Sequence, residues 1–352
     1  MIVKEEDLSK FLAQGIGGDE PVLCAVDTEA DSLHRYSESL CLVQFSDGER
    51  HVLIDPLAID DLSSLKNYLE RARCWMHGAD YDMHMLRQNL GVIPPVVYDT
   101  QIGARLLGVR KFGYGDLVAH YMGVDLEKTS QKADWSKRPL TPVMEEYALN
   151  DVVYLLPMAE KIVSQLKEKG RYEWFVESCE AARQKSIERK VEKSDPWRIK
   201  GCGKLEPKAL NILKHLWYWR DTEAAEWDRP SFMVTGNKQL IEWVSQLMNE
   251  EELVVPKHFR SNRVKKLHQS IANANEVSSK NYPQRIRGER RRKSEEFDQR
   301  FDRLILKRNK LAEELDIDGS LIGARAGLEA LAAQEDGAEA MFLSWQRKLL
   351  GI

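Results

Sequence analysis

Short apolar or alternating runs dominate the start of the chain. "VLCAVDTE" (22–29), "LCLVQFS" (40–46), "RHVLIDP" (50–56) and "RCWMHG" (73–78) are bounded by turn residues and suit strands. The first three follow one another closely, as hairpin-connected strands do. Helical periodicity then takes over in "DDLSSLKNYLERA", "ADYDMHMLRQNL", "YDTQIGARLLG", "GYGDLVAHYMG" and the long "TPVMEEYALNDVVYLLPMAEKIVSQLKEKG". Strands first and mostly helices later predict an α/β layer fold over residues 1–195. Asp195-Pro196-Trp197 and the glycine-rich "KGCGKLEP" read as a linker. Residues 206–282 are helical throughout, with Leu210, Leu213, Leu216, Trp217 and Trp219 near helical spacing behind Pro207. "NKQLIEWVSQL" and "NRVKKLHQSIANA" add further helices. A third helical region, 286–352, begins at the arginine-rich "RIRGERRRK".

Composition narrows the class. The chain of 352 residues has room for two or three domains, and 43% hydrophobic with 31% charged residues describes an ordinary globular protein. No apolar stretch reaches the length of a membrane span. "MIVKEEDLSKFLAQ" is charged and amphipathic, unlike a signal peptide, so a cytoplasmic address is expected. The five cysteines form no C-x-x-C pair and read as reduced core thiols. With a net charge of −4, any nucleic-acid contact must come from a local patch. Arg285, Arg287, Arg290, Arg291, Arg292 and Lys293 crowd into nine positions and form the candidate phosphate-binding patch.

The candidate chemistry lies in three places. Residues two apart on a strand share a face, so Asp27 and Glu29 project together from an apolar strand. In "WMHGADYD" a strand ends at Met76, His77-Gly78 turns, and a helix opens with Asp80 and Asp82, where acids also suit the helix dipole. Tyr147 and Asp151 are one helical turn apart. Four carboxylates converging without a Lys or Arg repel one another unless cations neutralise them. Oxygen-rich sites of this kind suit Mg²⁺ or Mn²⁺, and two such ions about 4 Å apart serve in-line displacement at phosphorus.

The order and spacing of "VDTE", "HGADYD" and "EEYALND" resemble the DEDD superfamily of 3′→5′ exonucleases, in its Tyr-containing branch. "LCLVQ", "YDTQIGARLLG", "KTSQKADWSKRPLT" and "YALNDVVYLLPM" look like ribonuclease D. "LNILKHLWYWRDTEAAEWDRPSFMV" resembles the helicase-and-RNase-D C-terminal (HRDC) domain, and "KRNKLAEELDIDGSLIGARAGLEAL" a second, degenerate copy. The resemblance implies a ribonuclease H-like exonuclease domain with a mixed sheet flanked by helices, followed by one or two all-helical HRDC-type domains. It makes Asp27, Glu29, Asp82 and Asp151 the ligands of two divalent ions, Asp27 bridging them, with Tyr147 positioning the attacking water. Asp80 is the weaker candidate of its pair. His77, Trp135 and Arg138 become candidate substrate contacts together with Arg290, Arg291 and Arg292. Ala30 departs from the bulky residue many ribonuclease D sequences carry directly after Asp-x-Glu, which leaves substrate preference open.

The implied activity is removal of nucleoside 5′-monophosphates from the 3′ ends of tRNA precursors and other structured RNAs. The expected partner is RNA with a single-stranded 3′ end, met by a monomer without membrane or nucleotide cofactor. A DNA exonuclease is the alternative, since carboxylates act on phosphate and do not see the sugar. A non-catalytic RNA-binding scaffold is less favoured, because the acids and Tyr147 are all present. The remaining length is too short for a polymerase domain. No G-x-x-x-x-G-K-[ST] loop occurs, which excludes a helicase.

Overall fold

In this computed structural model, residues 1–14, 22–127, 129–189, 195–286 and 294–352 are described. The alternating runs become strands β1 (Val22–Ala30), β2 (Leu40–Ser46), β3 (His51–Ile54) and β4 (Ala72–Met76), joined by β5 (Val96–Asp99). They form one sheet in the order β3-β2-β1-β4-β5. β1–β2 and β2–β3 pair antiparallel, β1–β4 and β4–β5 parallel, so the sheet is mixed. β5 is a correction to the sequence reading, which takes "YDTQIGARLLG" as wholly helical. Asp99 closes β5 and also caps the following helix, its carboxylate accepting from the backbone N–H of Gln101 at 2.8 Å. A strand this short, ending on a capping residue, is hidden by the helical period beyond it.

The chain divides into two units. The first comprises Met1–Ala30, Ser39–Arg189 and the helices that start at Glu295. Its earlier helices are α1 (Glu5–Ala13), α2 (Ser63–Leu69), α3 (Asp80–Leu90), α4 (Thr100–Leu106), α5 (Tyr114–Met122), α6 (Pro142–Val153), α7 (Leu155–Glu168) and α8 (Tyr172–Glu188). Alternation along β1 assigns each face its own core. Cys24 and Val26 meet Leu65 of α2 and Leu86 of α3, while Ala25 joins Leu155 and Ile162 of α7. Across β2 and β3, Leu42 and Leu53 pack with Trp135 and with Ala148 of α6. The long helix read from "TPVMEEYALNDVVYLLPMAEK" breaks at Tyr154. Pro157 has no N–H to donate, and its ring would strike the carbonyl of Val153 in a continuous helix.

The second unit contains α9 (Pro207–Trp227), α10 (Ser231–Val234), α11 (Asn237–Met248) and α12 (Ser261–Glu276) around Leu213, Leu216, Trp219, Leu240, Trp243 and Leu267. Residues 31–38 belong to it: Arg35 pairs with Asp228 at 2.8 Å, and the Tyr36 hydroxyl donates to Asp221 at 2.9 Å. Trp197, read as part of a linker, is buried with its indole N–H on Asp195.

The last helices are α13 (Glu295–Leu315), α14 (Gly319–Ile322), α15 (Arg325–Ala332) and α16 (Ser344–Leu350). They share the first unit's core: Ile317, Leu328, Phe342, Trp345 and Leu350 cluster with Phe175. The rings of Trp174 and Trp345 stack with centroids 4.8 Å apart. Buried Arg171 donates to the carbonyls of Leu106 and Leu315, both at 2.7 Å, and so caps α4 and α13 at once. Gly108 is in the left-handed region at φ +89°, and a side chain there would collide with the carbonyl of Asp316.

Candidate active site

The carboxyl ends of the parallel neighbours β1 and β4 open into a cleft of about 280 Å³. Asp27 and Glu29 enter it from one face of β1, and Tyr147 and Asp151 from one face of α6. Thr141 caps α6 by accepting from the Met144 N–H, and Pro142 fits the first turn, where no N–H is needed. Ligand oxygens of Asp27, Glu29 and Asp151 all lie within 4.8 Å of one another.

Asp82 arrives by a different route. β4 ends at Met76, and Gly78 turns the chain at φ +69°, a conformation that suits glycine. The Asp99 carboxylate holds that turn by accepting from the N–H groups of Gly78 and Ala79 at 2.9 and 3.0 Å. α3 then begins at Asp80 and points Asp82 into the cleft. The hydroxyl of Thr28, on the opposite face of β1 from the acids, donates to Asp82 Oδ1 at 2.6 Å. Thr28 and Asp99 were not singled out from the sequence, although both lie in quoted stretches; Thr28 sits between the two strand acids. Tyr114 and Gln131 also line the cleft, and the Tyr114 hydroxyl donates to the carbonyl of Asn150 at 2.7 Å.

Electrostatics marks the cluster as short of positive charge. Among the described residues that line it there is no Lys or Arg. Burial first, then the charges of Asp82, Asp151 and Glu29, push the Asp27 carboxyl well above its ordinary range. Burial, then Asp151 and Asp82, push Glu29 up to about 8. Burial followed by Asp82 takes Asp151 to about 7. Asp82 is raised to about 6 by burial, against hydrogen bonds from Thr28 that favour its ionised form. The Tyr147 hydroxyl is raised by burial and by Asp151, and stays protonated at neutral pH. At neutral pH these carboxylates resist ionising together unless cations neutralise them, and an all-oxygen donor set fits Mg²⁺ or Mn²⁺.

The other sequence candidates fall elsewhere. His77 lines the cleft, hydrogen-bonds Thr100 at 2.9 Å and stands edge-on to Tyr114; burial lowers its pKa. Asp80 is exposed and lies 3.3 Å from Arg189. Trp135 is 1% exposed, its ring 6.1 Å from that of Tyr147, so it supports the tyrosine as core and offers substrate no face. Arg138 is bound bidentately by buried Asp55 at 2.5 and 2.7 Å and donates to the carbonyls of Cys41 and Trp135. Its guanidinium is already committed to the fold. Arg290, Arg291 and Arg292 lie outside the described residues, as do Arg287 and Lys293. Arg285 donates to the carbonyl of Leu205 and pairs with Glu206. Trp219 is core, Trp217 packs beside it, and Trp227 is exposed beneath Arg263.

The fold and its carboxylate cluster fall in the class of 3′–5′ exonucleases: a family model of that description matches residues 1–167. Ribonuclease D of Haemophilus influenzae is 30% identical over 272 residues, covering 74% of this chain and 68% of the relative. The chain belongs to the ribonuclease D family. Ribonuclease D of Cronobacter turicensis is 34% identical over 220 residues, 61% of this chain and 59% of that protein. The Escherichia coli enzyme is 35% identical over 210 residues, 58% of this chain and 55% of the relative. These two matches therefore span less than two thirds of the relatives' length. The crystal structure of Escherichia coli ribonuclease D, described as an exoribonuclease involved in structured RNA processing, has a TM-score of 0.73 at 26% identity. It covers 95% of this chain and 90% of that one.

Proposed function

We propose that the protein is a metal-dependent 3′→5′ exoribonuclease that trims structured RNAs such as tRNA precursors at a single-stranded 3′ end. The observation that carries this reading is the convergence of Asp27, Glu29, Asp82 and Asp151 with Tyr147 in one cleft lined by no described Lys or Arg. The four acids would hold two Mg²⁺ or Mn²⁺ ions. When bound, such ions supply charge neutralisation for in-line attack of water at phosphorus. Tyr147, protonated and braced by Trp135, orients that water through its hydroxyl. Thr28 keeps Asp82 turned to the cleft, and Asp99 fixes the turn from which Asp82 departs. His77, tied to Thr100 and with its pKa lowered by burial, would meet the terminal nucleotide.

Residues 206–282 are assigned as an HRDC-type domain and 286–352 as a degenerate relative of it, on the resemblance of their sequences, and the described residues of both are helical. No helix among the described residues is long and apolar enough to cross a membrane. Five free cysteines support a reducing cytoplasm as the setting. A monomer is the proposed state, as no residue of the site calls for a second copy.

A time course on 5′-labelled single-stranded RNA and the matching DNA, with Mg²⁺, Mn²⁺ or EDTA, tests the reading. Stepwise shortening of RNA from its 3′ end, abolished by EDTA and by Asp27→Asn, is the expected result. Equal or faster loss of DNA would make the protein a DNA exonuclease. Binding without shortening of either would make it a scaffold.

A further inference from the structure

Gln44 is fully buried, and neither its Oε1 nor its Nε2 has a hydrogen-bond partner. Burial of an unpaired amide is costly, so such a group in a native core usually answers to something the protein holds. Its position indicates what that is. Gln44 is the cross-strand partner of Asp27 in the antiparallel β1–β2 pair and of Leu53 in β2–β3. Directly opposed residues share a face, with Cβ atoms roughly 5 Å apart. Its neighbours Val43 and Phe45 serve the other core, whereas Leu42 and Leu53 lie in the layer with Ala148 of α6. Gln44 therefore stands on the face of Asp27 and Glu29, under the helix that carries Tyr147 and Asp151. Apart from the Asp55–Arg138 pair, which is closed on itself, the layer is built of apolar side chains, and their packing alone gives no reason for an amide there.

We infer that Gln44 is a positioning residue for the carboxylate centre: with divalent ions bound, its Nε2 donates to the Asp27 carboxylate, directly or through one buried water. The inference rests on the metal-dependent reading above. The choice of residue fits the task. A lysine or arginine beside Asp27 would neutralise it and compete with the ions, whereas a neutral amide orients the ionised carboxylate and leaves its charge available.

Gln44→Leu tests this, because it keeps the volume and removes the orphaned amide. A merely ill-paired core residue replaced in this way leaves function unchanged and the ion-free fold as stable or more so. The expected result differs in one respect. Mn²⁺ binding, read from the free-ion EPR signal, weakens about 10- to 100-fold, and the Mn²⁺ concentration for half-maximal RNA hydrolysis rises by the same factor. Gln44→Met provides the same comparison should the leucine variant fold poorly. Mn²⁺ binding within twofold of the parent in a folded variant overturns the inference and leaves the nuclease reading intact. Absence of Mn²⁺ binding by the parent overturns both.

Discussion

Replacing Asp151 by Asn keeps the side chain's shape, deletes its charge, and should make the ion-free protein more stable. Burial and the nearby Asp82 raise the Asp151 carboxyl from its ordinary 3.8 to about 7. Each pH unit of such a displacement is worth about 1.4 kcal/mol, so full ionisation costs the fold on the order of 4 kcal/mol. Asp82 and Asp151 repel each other, and protonating either relieves part of that cost, so about 2 kcal/mol is the working figure. The sign follows from the raised pKa. The stability of the protonated state is intact below about pH 4 and is lost as pH rises through 7. Thermal unfolding in EDTA should therefore show Asp151→Asn melting roughly 4–8 °C above the parent at pH 8.5. At pH 5 the advantage should be less than half as large. Saturating Mn²⁺ should reverse the order, since ions at about 100 times Kd stabilise the parent by about 2.7 kcal/mol and the variant lacks a ligand. A variant no more stable than its parent in EDTA at pH 8.5, or equally favoured at both pH values, would refute the account of the site as uncompensated negative charge.

Other perturbations separate the parts of the cleft. Thr28→Val removes the hydroxyl that donates to Asp82 at 2.6 Å, a bond to a charged group worth about 1.5–3 kcal/mol. The Mn²⁺ concentration for half-maximal hydrolysis should rise about tenfold or more with little change in fold, checked by metal titration and circular dichroism. Because Glu29, Asp151 and Asp82 lose protons near 8, 7 and 6, Mn²⁺ binding should weaken at least about tenfold as pH falls from about 8 to 6, measured by calorimetry. Asp80→Asn touches only an exposed pair with Arg189 and should leave hydrolysis within about twofold of the parent. Trp345→Ala removes a buried ring stacked on Trp174, at a cost of about 3–5 kcal/mol, and should lower the melting temperature by roughly 10 °C.

Asp27 with Glu29, and Tyr147 with Asp151, can be grouped from the sequence because each pair is local, whereas Asp82 is preferred to Asp80 only by its match to the family's motif. Two-residue spacing on a strand and four-residue spacing on a helix each fix a common face, whatever packs around them. The same alternation that groups Asp27 with Glu29 sends Thr28 to the other side of β1, so the spacing gives it no tie to them. Only the fold shows that α3 meets that side and brings Asp82 to it. Trp135 and Arg138 show the opposite difficulty. An aromatic and a guanidinium three apart in a polar stretch have the chemistry of a nucleotide contact. What assigns Arg138 is Asp55, 83 residues before it, whose buried carboxylate claims the guanidinium, and what assigns Trp135 is its packing against Leu42, Leu53 and Ala148. Such non-local partners leave no periodic trace in the sequence.

The same holds for the end of the chain. A helical pattern after residue 286 reads as a region of its own, because periodicity reports an apolar face and not what covers it. In the structure that face completes the core around Phe175, and Arg171 ties it down by capping α13 at Leu315, 144 residues further along. The other hydrogen bond of Arg171 caps α4, the helix begun by Asp99. Asp99 in turn holds the Gly78–Ala79 turn that delivers Asp82. Arg171 and Asp99 thus fix the two ends of α4, the helix that lies between the last helices and the turn that delivers Asp82. The last helices, read from the sequence as a separate region, pack on the same unit that carries the site.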